Sequence, residues 1–336
     1  MGNSKPNRAT LKDVAELAGV SMQTVSRVVN NVPKVAPATV KRVTRVMQEL
    51  DYQPNTVARI LQTRRSYTLE VIALDIPLLP APLVQMAASA RSHGYHMVFT
   101  TGAEEELDTI VESMQSRVVD GFIVVAPRMQ DIRGKLSELN VGIPFVSMSV
   151  GAPEENSQIP TVLFDQKSGM KMLVEHLQSQ GHRHIAEISG PLDHQGGRSR
   201  HEILMELAKE YDISVEPAIA VDFSMEGGVQ GIDYLLNQNV NFTAIIAGND
   251  DIALGAIHRL REHNIRVPED ISITGFDDIP HAAYVYPPLT TVKQDFYKLG
   301  NLATDYLISL IEDENALIYE RVLKPELIIR KSTRQL

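Results

Sequence analysis

Gln23 and Arg27 stand four residues apart, with Met22 and Ser26 beside them, in the stretch GVSMQTVSRVVNN at residues 19–31. In a helix, positions three or four apart share a face. Met22 would then lie over Ser26 and Gln23 over Arg27, with Val25, Val28 and Val29 mostly on the remaining faces. Glutamine and arginine are the side chains whose paired donors and acceptors match adenine and guanine edges. A solvated helix face would carry them too, so the pair alone leaves both readings open. Elsewhere the titratable candidates are Asp250-Asp251, Asp277-Asp278 and His182-x-His184. Taken as strand neighbours pointing to opposite faces, each acidic pair offers at most one inward carboxylate. No third His or Cys follows the histidines at metal spacing, and GHRH reads as positive charge at a helix C-terminus. There is no Walker loop and no G-x-S-x-G, and the glycine-rich SGPLDHQGGRSR lacks G-x-G-x-x-G order. No nucleophile–base pair can be assembled, so catalytic residues, a metal and a cofactor are all expected to be absent.

The totals constrain where such residues could work. The 336 residues carry a net charge of −10, unevenly spread. Residues 1–66 hold 11 Lys and Arg against 4 Asp and Glu, a net of +7, which leaves −17 for the rest. A small basic head on an acidic body is expected if only the head meets a polyanion, although a solvated basic bundle would look the same. There are no cysteines, which removes disulfides and thiolate chemistry and fits a reducing cytoplasm. No apolar run reaches membrane-spanning length, and the polar start MGNSKPNRAT lacks a secretory h-region. Met1-Gly2-Asn3-Ser4 has the form of a myristoylation start but reads better as a polar leader. A cytoplasmic protein without a membrane partner is expected.

In the head, Thr10 with Asp13 suggests a capped helix start, and Leu11, Val14, Ala15 and Ala18 follow helical spacing. Gly19 ends that helix and Ser21 caps the next, which makes a helix-turn-helix. A third helix from Pro37 is expected to bury Val40, Val43, Met47 and Leu50. In such a unit the second helix enters the major groove. Val20, Val25 and Val28 would hold it to the bundle, leaving Met22, Gln23, Ser26 and Arg27 outward. Gln23 then suits adenine, Arg27 guanine and Met22 a thymine methyl. Ser21, Thr24 and Asn30 are better placed for phosphates, and Thr10 is counted with the DNA-facing set.

TLKDVAELAGVSMQTVSRVVN, followed by ELDYQPNTVARILQTRRS, resembles the start of the LacI/GalR family of transcriptional repressors. The resemblance implies a headpiece at 1–54, a hinge helix at 55–66 that folds on DNA, and an effector-binding core at 67–332. Asn55, Ala58 and Leu61 match the hinge, with Leu61 as the minor-groove wedge. Met22 departs from the aromatic found there in a well-known member, so the operator sequence need not be shared.

The body alternates short apolar runs (EVIALDI, HMVFTTG, GFIVVAP, PFVSMSV, TVLFD, HIAEISG, AIIAGND, ISITGFD) with helical stretches. This predicts an α/β core of two doubly wound parallel-sheet lobes, with ligands beyond the carboxyl ends of the strands. Those ends supply Asp75, Ser149, Asp165, Asn249, Asp250 and Asp277. AGNDDIALGAIHRL, VPEDISITGFDD and YPPLTTVKQDFYKLG extend the family resemblance to the end of the chain. It implies a periplasmic-binding-protein-like core, with lobe one near 67–163 and 293–322 and lobe two near 164–290 and 323–332. Carried over, the effector contacts are Arg198, Asn249, Asp277 and Gln294, with an apolar wall of Phe164, Phe223 and Phe296. Asp75 and Ser149 complete the candidate set.

Amides, carboxylates and guanidinium over aromatic faces suit a saccharide. Ser149 replaces an aspartate and Phe223 a tryptophan of a sugar-binding member. Glu70 stands where a glycine is common, and LDIPLLPAPLVQ is unusually rich in proline, so the sugar need not be a simple galactoside. No leucine-heptad tail follows LIIRKSTRQL, so a homodimer on two palindromic half-sites is expected. The resulting expectation is a repressor of a sugar-utilisation operon released by its effector, or, within the family, a corepressor-dependent regulator. A transport sugar-binding protein would leave the basic head unexplained, and a sugar-active enzyme ranks third.

Overall fold

The computed structural model describes residues 9–29, 35–52, 65–75, 80–116, 119–128, 132–138, 142–151, 159–238, 240–313 and 315–336. The expectations at Asn30, Asn55, Ala58, Leu61 and Pro77 lie outside the described residues. Contacts divide the chain into two units, Met1–Ser66 and Tyr67–Leu336.

In the first unit, helix α1 (Leu11–Ala18) opens on a capping box. The Thr10 amide donates to Asp13 Oδ2 (2.7 Å) and the Asp13 amide to Thr10 Oγ1 (3.3 Å). The Thr10 amide and hydroxyl, both donating to Asp13 Oδ2, hold that carboxyl below its ordinary range. Gly19 ends α1 at φ +63°, a left-handed cap that suits glycine. Helix α2 (Met22–Val29) follows, with the Thr24 amide donating to Ser21 Oγ (3.1 Å). Helix α3 (Pro37–Glu49) begins on proline, whose missing N–H costs nothing in a first turn. Val14, Ala15, Ala18, Val25, Val28, Val43 and Val46 form the core. Val40, expected inside, is 37% exposed, and the buried stripe of α3 runs instead through Val43 and Val46, with Met47 and Leu50 packed alongside. Two eight-residue helices are about 12 Å long and leave the first turn of a thirteen-residue partner uncovered.

The second unit holds two sheets. The first is ordered β11-β5-β4-β3-β1-β2 and consists of β1 (Thr68–Leu74), β2 (His96–Gly102), β3 (Gly121–Val125), β4 (Phe145–Ser149), β5 (Thr161–Phe164) and β11 (Glu320–Leu323), all parallel. The second, ordered β12-β10-β9-β8-β6-β7, consists of β6 (His184–Ser189), β7 (Ser214–Ala220), β8 (Ala244–Ala247), β9 (Ser272–Asp277), β10 (Thr290–Lys293) and an antiparallel β12 (Glu326–Ile328). The connecting helices are α4 (Pro80–Ser92), α5 (Leu107–Ser116), α6 (Ile132–Glu138), α7 (Gln166–Ser179), α8 (Gln195–Glu210), α9 (Met225–Leu236), α10 (Asp250–Glu262) and α11 (Phe296–Glu312).

The chain passes between sheets after β5, after β10 and after β11. Strand β10 therefore belongs wholly to the second lobe, and its end, rather than its middle, marks the return to the first. The inner strands of each sheet are buried on both faces, while the edge strands β2 and β7 stay partly exposed. On β1, Leu69 and Val71 pack toward α4 and α11, while Ile72 and Leu74 pack toward α5. That explains the unbroken apolar runs of the inner strands.

The two histidines expected to carry charge do the opposite at His182. Its ring is buried, with Nδ1 against Thr243 Oγ1 (2.8 Å) and Nε2 against the Arg334 carbonyl (3.1 Å), and burial pushes its pKa down. His184 is exposed. His176, also lowered by burial, meets Thr333 Oγ1 (2.9 Å). Two neutral rings thus pin the C-terminal segment to the second lobe. A histidine whose folded pKa lies below the unfolded value near 6.5 binds its proton more readily when unfolded. Its contribution to stability is complete above that value and is lost as pH falls through it. Replacement of His182 by glutamine is expected to cost about 1–3 kcal/mol at pH 7.5. It also flattens the pH 5–7 slope of the denaturation midpoint relative to the parent protein, as a urea series would show.

Candidate functional site: a DNA-facing helix and an interlobe cleft

On α2 the valines point in and the polar face points out. Val25 and Val28 are buried, whereas Met22, Gln23 and Arg27 are exposed and Ser26 is half-buried. The expected recognition face is therefore present as one surface. The Ser21 and Thr24 hydroxyls lie 2.9 Å apart, so both serve the cap of α2 as well as any phosphate. The Thr10 hydroxyl donates to Asp13 Oδ2 (2.7 Å) in the same way at α1.

In the body, the strand ends converge on one guanidinium, that of Arg200 in α8. It is 6% exposed. Nε donates to Gln166 Oε1 (3.2 Å), Nη1 donates to the Gly248 carbonyl, and Nη2 lies 3.7 Å from Asp277 Oδ1. Its plane covers Phe276 at 4.2 Å and reaches Phe223 at 5.7 Å. Arg198, the arginine expected here, is only half-buried, and no described hydrogen bond or ion pair joins its side chain to this cluster. Two residues along a helix turn a side chain by roughly 200°, so only one arginine of R-S-R can face the strand ends.

The remaining candidates separate into groups. Asn249 is buried and caps α10 by accepting from the Ile252 amide (2.9 Å). Gln294 is 4% exposed; its backbone N–H donates to the Asp277 backbone carbonyl (3.2 Å), while both polar atoms of its side chain are buried without a partner. Gln166 Nε2 and Asp277 Oδ1 are likewise buried and unbonded. Phe223 meets the His194 ring edge-on at 5.0 Å. Phe164 and Phe296 pack edge-on at 5.4 Å, with Phe164 fully within the first lobe's core, so it backs the wall rather than forming it. Asp75 is exposed, and its carboxylate accepts from the Glu104 amide (2.9 Å), a bond within its own lobe that does not reach the cluster.

Ser149 joins the lobes. Its Oγ donates to Gln195 Oε1 (3.2 Å), the Gln195 amide donates to the Pro127 carbonyl (2.6 Å), and Arg128 pairs with Asp193. An open groove of about 690 Å³ lined by Ile257, Arg261, Tyr286 and Pro288 carries none of these residues.

The electrostatics follow from burial. Desolvation pushes Asp277 up to about 6 although Arg200 opposes it, and desolvation together with Asp277 pushes Asp250 up to about 7. Burial, then Arg200 and Arg128, pull His194 down to about 4, so its ring is neutral at pH 7. The acidic pairs behave unlike strand neighbours. Asp250 and Asp251 open a helix, with Asp250 buried and Asp251 half-buried. Asp277 and Asp278 both turn inward, the second onto Arg330 (2.7 Å). Arg200, Gln166, His194 and Gln195 join the cluster only in the structure; Gln166 lies two residues beyond the end of β5, and the other three lie between the end of β6 and the second turn of α8.

A helix-turn-helix head joined to a core of two parallel-sheet lobes, with buried polar side chains where the lobes meet, is the architecture of a DNA-binding regulator. The chain belongs to the LacI family of bacterial transcriptional repressors. Residues 10–55 match the family described as "Bacterial regulatory proteins, lacI family", and residues 174–333 match the "Periplasmic binding protein-like domain". The chain is 34% identical to the HTH-type transcriptional repressor PurR of Haemophilus influenzae, over 98% of this chain and 99% of that one. It is 33% identical to the ribose operon repressor of the same species, over 96% and 98%. The crystal structure of the lac repressor dimer bound to operator and the anti-inducer ONPF superposes with a TM-score of 0.86 at 31% identity, covering 98% of this chain and all of that one. Among the described residues, no helix is long and apolar enough to cross a membrane, and no His, Cys, Asp and Glu group is arranged to hold a metal.

Proposed function

We propose that this repressor binds a palindromic operator as a homodimer in the bacterial cytoplasm, and that a small saccharide between its lobes releases it. The observation that carries the ligand reading is Gln294, a buried amide with donor and acceptor both unbonded, between Asp277 and Phe296 at a lobe crossing. Unpaired buried polar groups are costly, and a ligand that pairs with them recovers that cost. The Gln294 amide, the Asp277 carboxylate and the Arg200 guanidinium offer both donors and acceptors to vicinal hydroxyls. Phe223 supplies an apolar face for the C–H side of a pyranose.

Gln23 and Arg27 read base edges, Met22 adds an apolar contact, and Ser21, Thr24 and Asn30 reach phosphates. Asn55, Ala58 and Leu61 form the hinge between half-sites. A ligand that favours one lobe arrangement shifts the DNA-binding equilibrium only by its differential affinity for the two arrangements. A flat nucleobase presents similar donor and acceptor edges and makes the second reading, favoured by the unbonded Gln294 amide and by the Phe223 ring beside Arg200.

The test is anisotropy on a palindrome selected by the full-length protein from random sequence. It is run with D-ribose, lactose, cellobiose or guanine added in turn. One saccharide is expected to weaken operator binding by 5–150-fold, a coupling of about 1–3 kcal/mol. Tighter binding with a sugar would make the ligand a corepressor, and a response to guanine alone would overturn the saccharide reading.

A further inference from the structure

Three cleft residues sit on three segments: Asn249 after β8, Asp277 at the end of β9 and Gln294 after β10. One buried side chain reaches all three segments. Asp250 follows Asn249 at the start of α10 and is fully buried. Its Oδ2 accepts from the Ile279 amide (2.8 Å), which closes the turn that carries Asp277 and Asp278. Its Oδ1 accepts from Thr291 Oγ1 (2.5 Å), on β10 and three residues before Gln294. Strand β9 passes so close that a Cβ at Gly275 would lie 2.2 Å from that oxygen.

The turn needs such a tie. Asp277 and Asp278 have φ of +111° and +55°, a left-handed run that side-chain-bearing residues adopt only where the surroundings hold them. The carboxylate is kept in place although burial and Asp277 both oppose its charge.

We propose that Asp250 is the positioning residue of the cleft, the carboxylate that locks Asn249, Asp277 and Gln294 into one frame. Both of its oxygens are engaged by protein donors, so it acts through those residues rather than on a ligand. The inference rests on the reading of the cleft as the effector site.

Hydrogen exchange on the full-length protein tests it without a ligand. Asp250→Ala and Thr291→Val are expected to raise amide exchange across 277–281 and 290–296 by at least about tenfold, with β1–β4 unchanged. Asp250→Asn can still accept from the Ile279 amide and donate to Thr291 Oγ1, so it is expected to stay within about threefold of the parent protein. Calorimetry with D-ribose, lactose and cellobiose follows. For any sugar the parent protein binds, Asp250→Ala is expected to weaken binding by at least about tenfold and Asp250→Asn to restore most of it. Unchanged local exchange, or exchange rising equally throughout the body, would overturn the positioning role. Raised local exchange in a protein that binds none of the sugars would leave that role standing and overturn the saccharide reading.

Discussion

Replacing Gln23 and Arg27 together by alanine is expected to remove specific operator binding while the protein stays folded. Both side chains are exposed on α2 and neither contributes to the core of Val14, Val25, Val28, Val43 and Val46. Surface changes of this kind leave stability within about 0.5 kcal/mol. A good bidentate pair to a base edge contributes about 1–3 kcal/mol of discrimination. Two such pairs lost at each of two half-sites, about 4 kcal/mol or more in all, lower specific affinity by about a thousandfold, converging on the non-specific level. Non-specific binding rests on phosphate contacts, so it loses only the small share Arg27 contributes. Competition between the selected palindrome and a scrambled duplex at fixed salt separates the two terms. Equal losses on both duplexes would mean that α2 contacts the backbone and reads no bases.

Replacing Arg200 by methionine is expected to abolish the effector response and to cost stability as well. Methionine keeps much of the apolar contact with Phe276, but it leaves Gln166 Oε1, the Gly248 carbonyl and Asp277 without their donor. Breaking a buried charge pair on one side costs about 3–5 kcal/mol when the partner remains charged; here the partner can protonate, which limits the loss. The pH dependence identifies that partner. Arg200 is what restrains the rise of Asp277, so without it the carboxyl titrates above its present value of about 6. A carboxyl raised in the folded state binds more protons folded than unfolded, so its stability contribution is present at low pH and is lost as pH rises through the folded pKa. The stability deficit of Arg200→Met is therefore expected to be smallest near pH 5 and to grow toward pH 8, as urea midpoints would show. A deficit independent of pH would mean that Asp277 does not feel this cation.

What could be read from the sequence divides along physical lines. The head was legible because its signals are local: the Thr10–Asp13 box, the left-handed Gly19 and the helix-starting Pro37 each act within a turn of themselves. All eight apolar runs are strands: seven are inner strands of a parallel sheet, whose burial makes them apolar, and the eighth, HMVFTTG, is the edge strand β2. Strands β7, β11 and β12 lack a continuous apolar run: β7 contains Pro217 and alternates exposed and buried residues, and β11 and β12 are three or four residues long and partly charged. Strand β10 was passed over because TTVK is short and half polar.

The cleft was legible where a residue closes a strand or follows it directly, as Asp277 at the end of β9 and Asn249 just after β8 do. It was not legible where rotation about a helix decides: that Arg200 rather than Arg198 reaches Gln166, Gly248 and Asp277 is set by its place on α8. Distant partners were equally invisible: burial lowers the pKa of His182, and the Thr243 and Arg334 segments that meet its ring lie 61 and 152 residues away in sequence. Asp250 was seen as one of an acidic pair, but its ties to Ile279 and Thr291 depend on three strands meeting.

The most direct test of an effector-controlled repressor is the reciprocal one: calorimetry of the saccharide with the full-length protein, free and saturated with its selected operator. Coupling between two sites is symmetric in binding free energy. The operator is therefore expected to weaken saccharide binding by the same 5–150-fold factor by which the saccharide weakens operator binding. Equal saccharide affinity in the free and DNA-bound protein would contradict this, leaving a sugar-binding body and a DNA-binding head that share a chain without communicating.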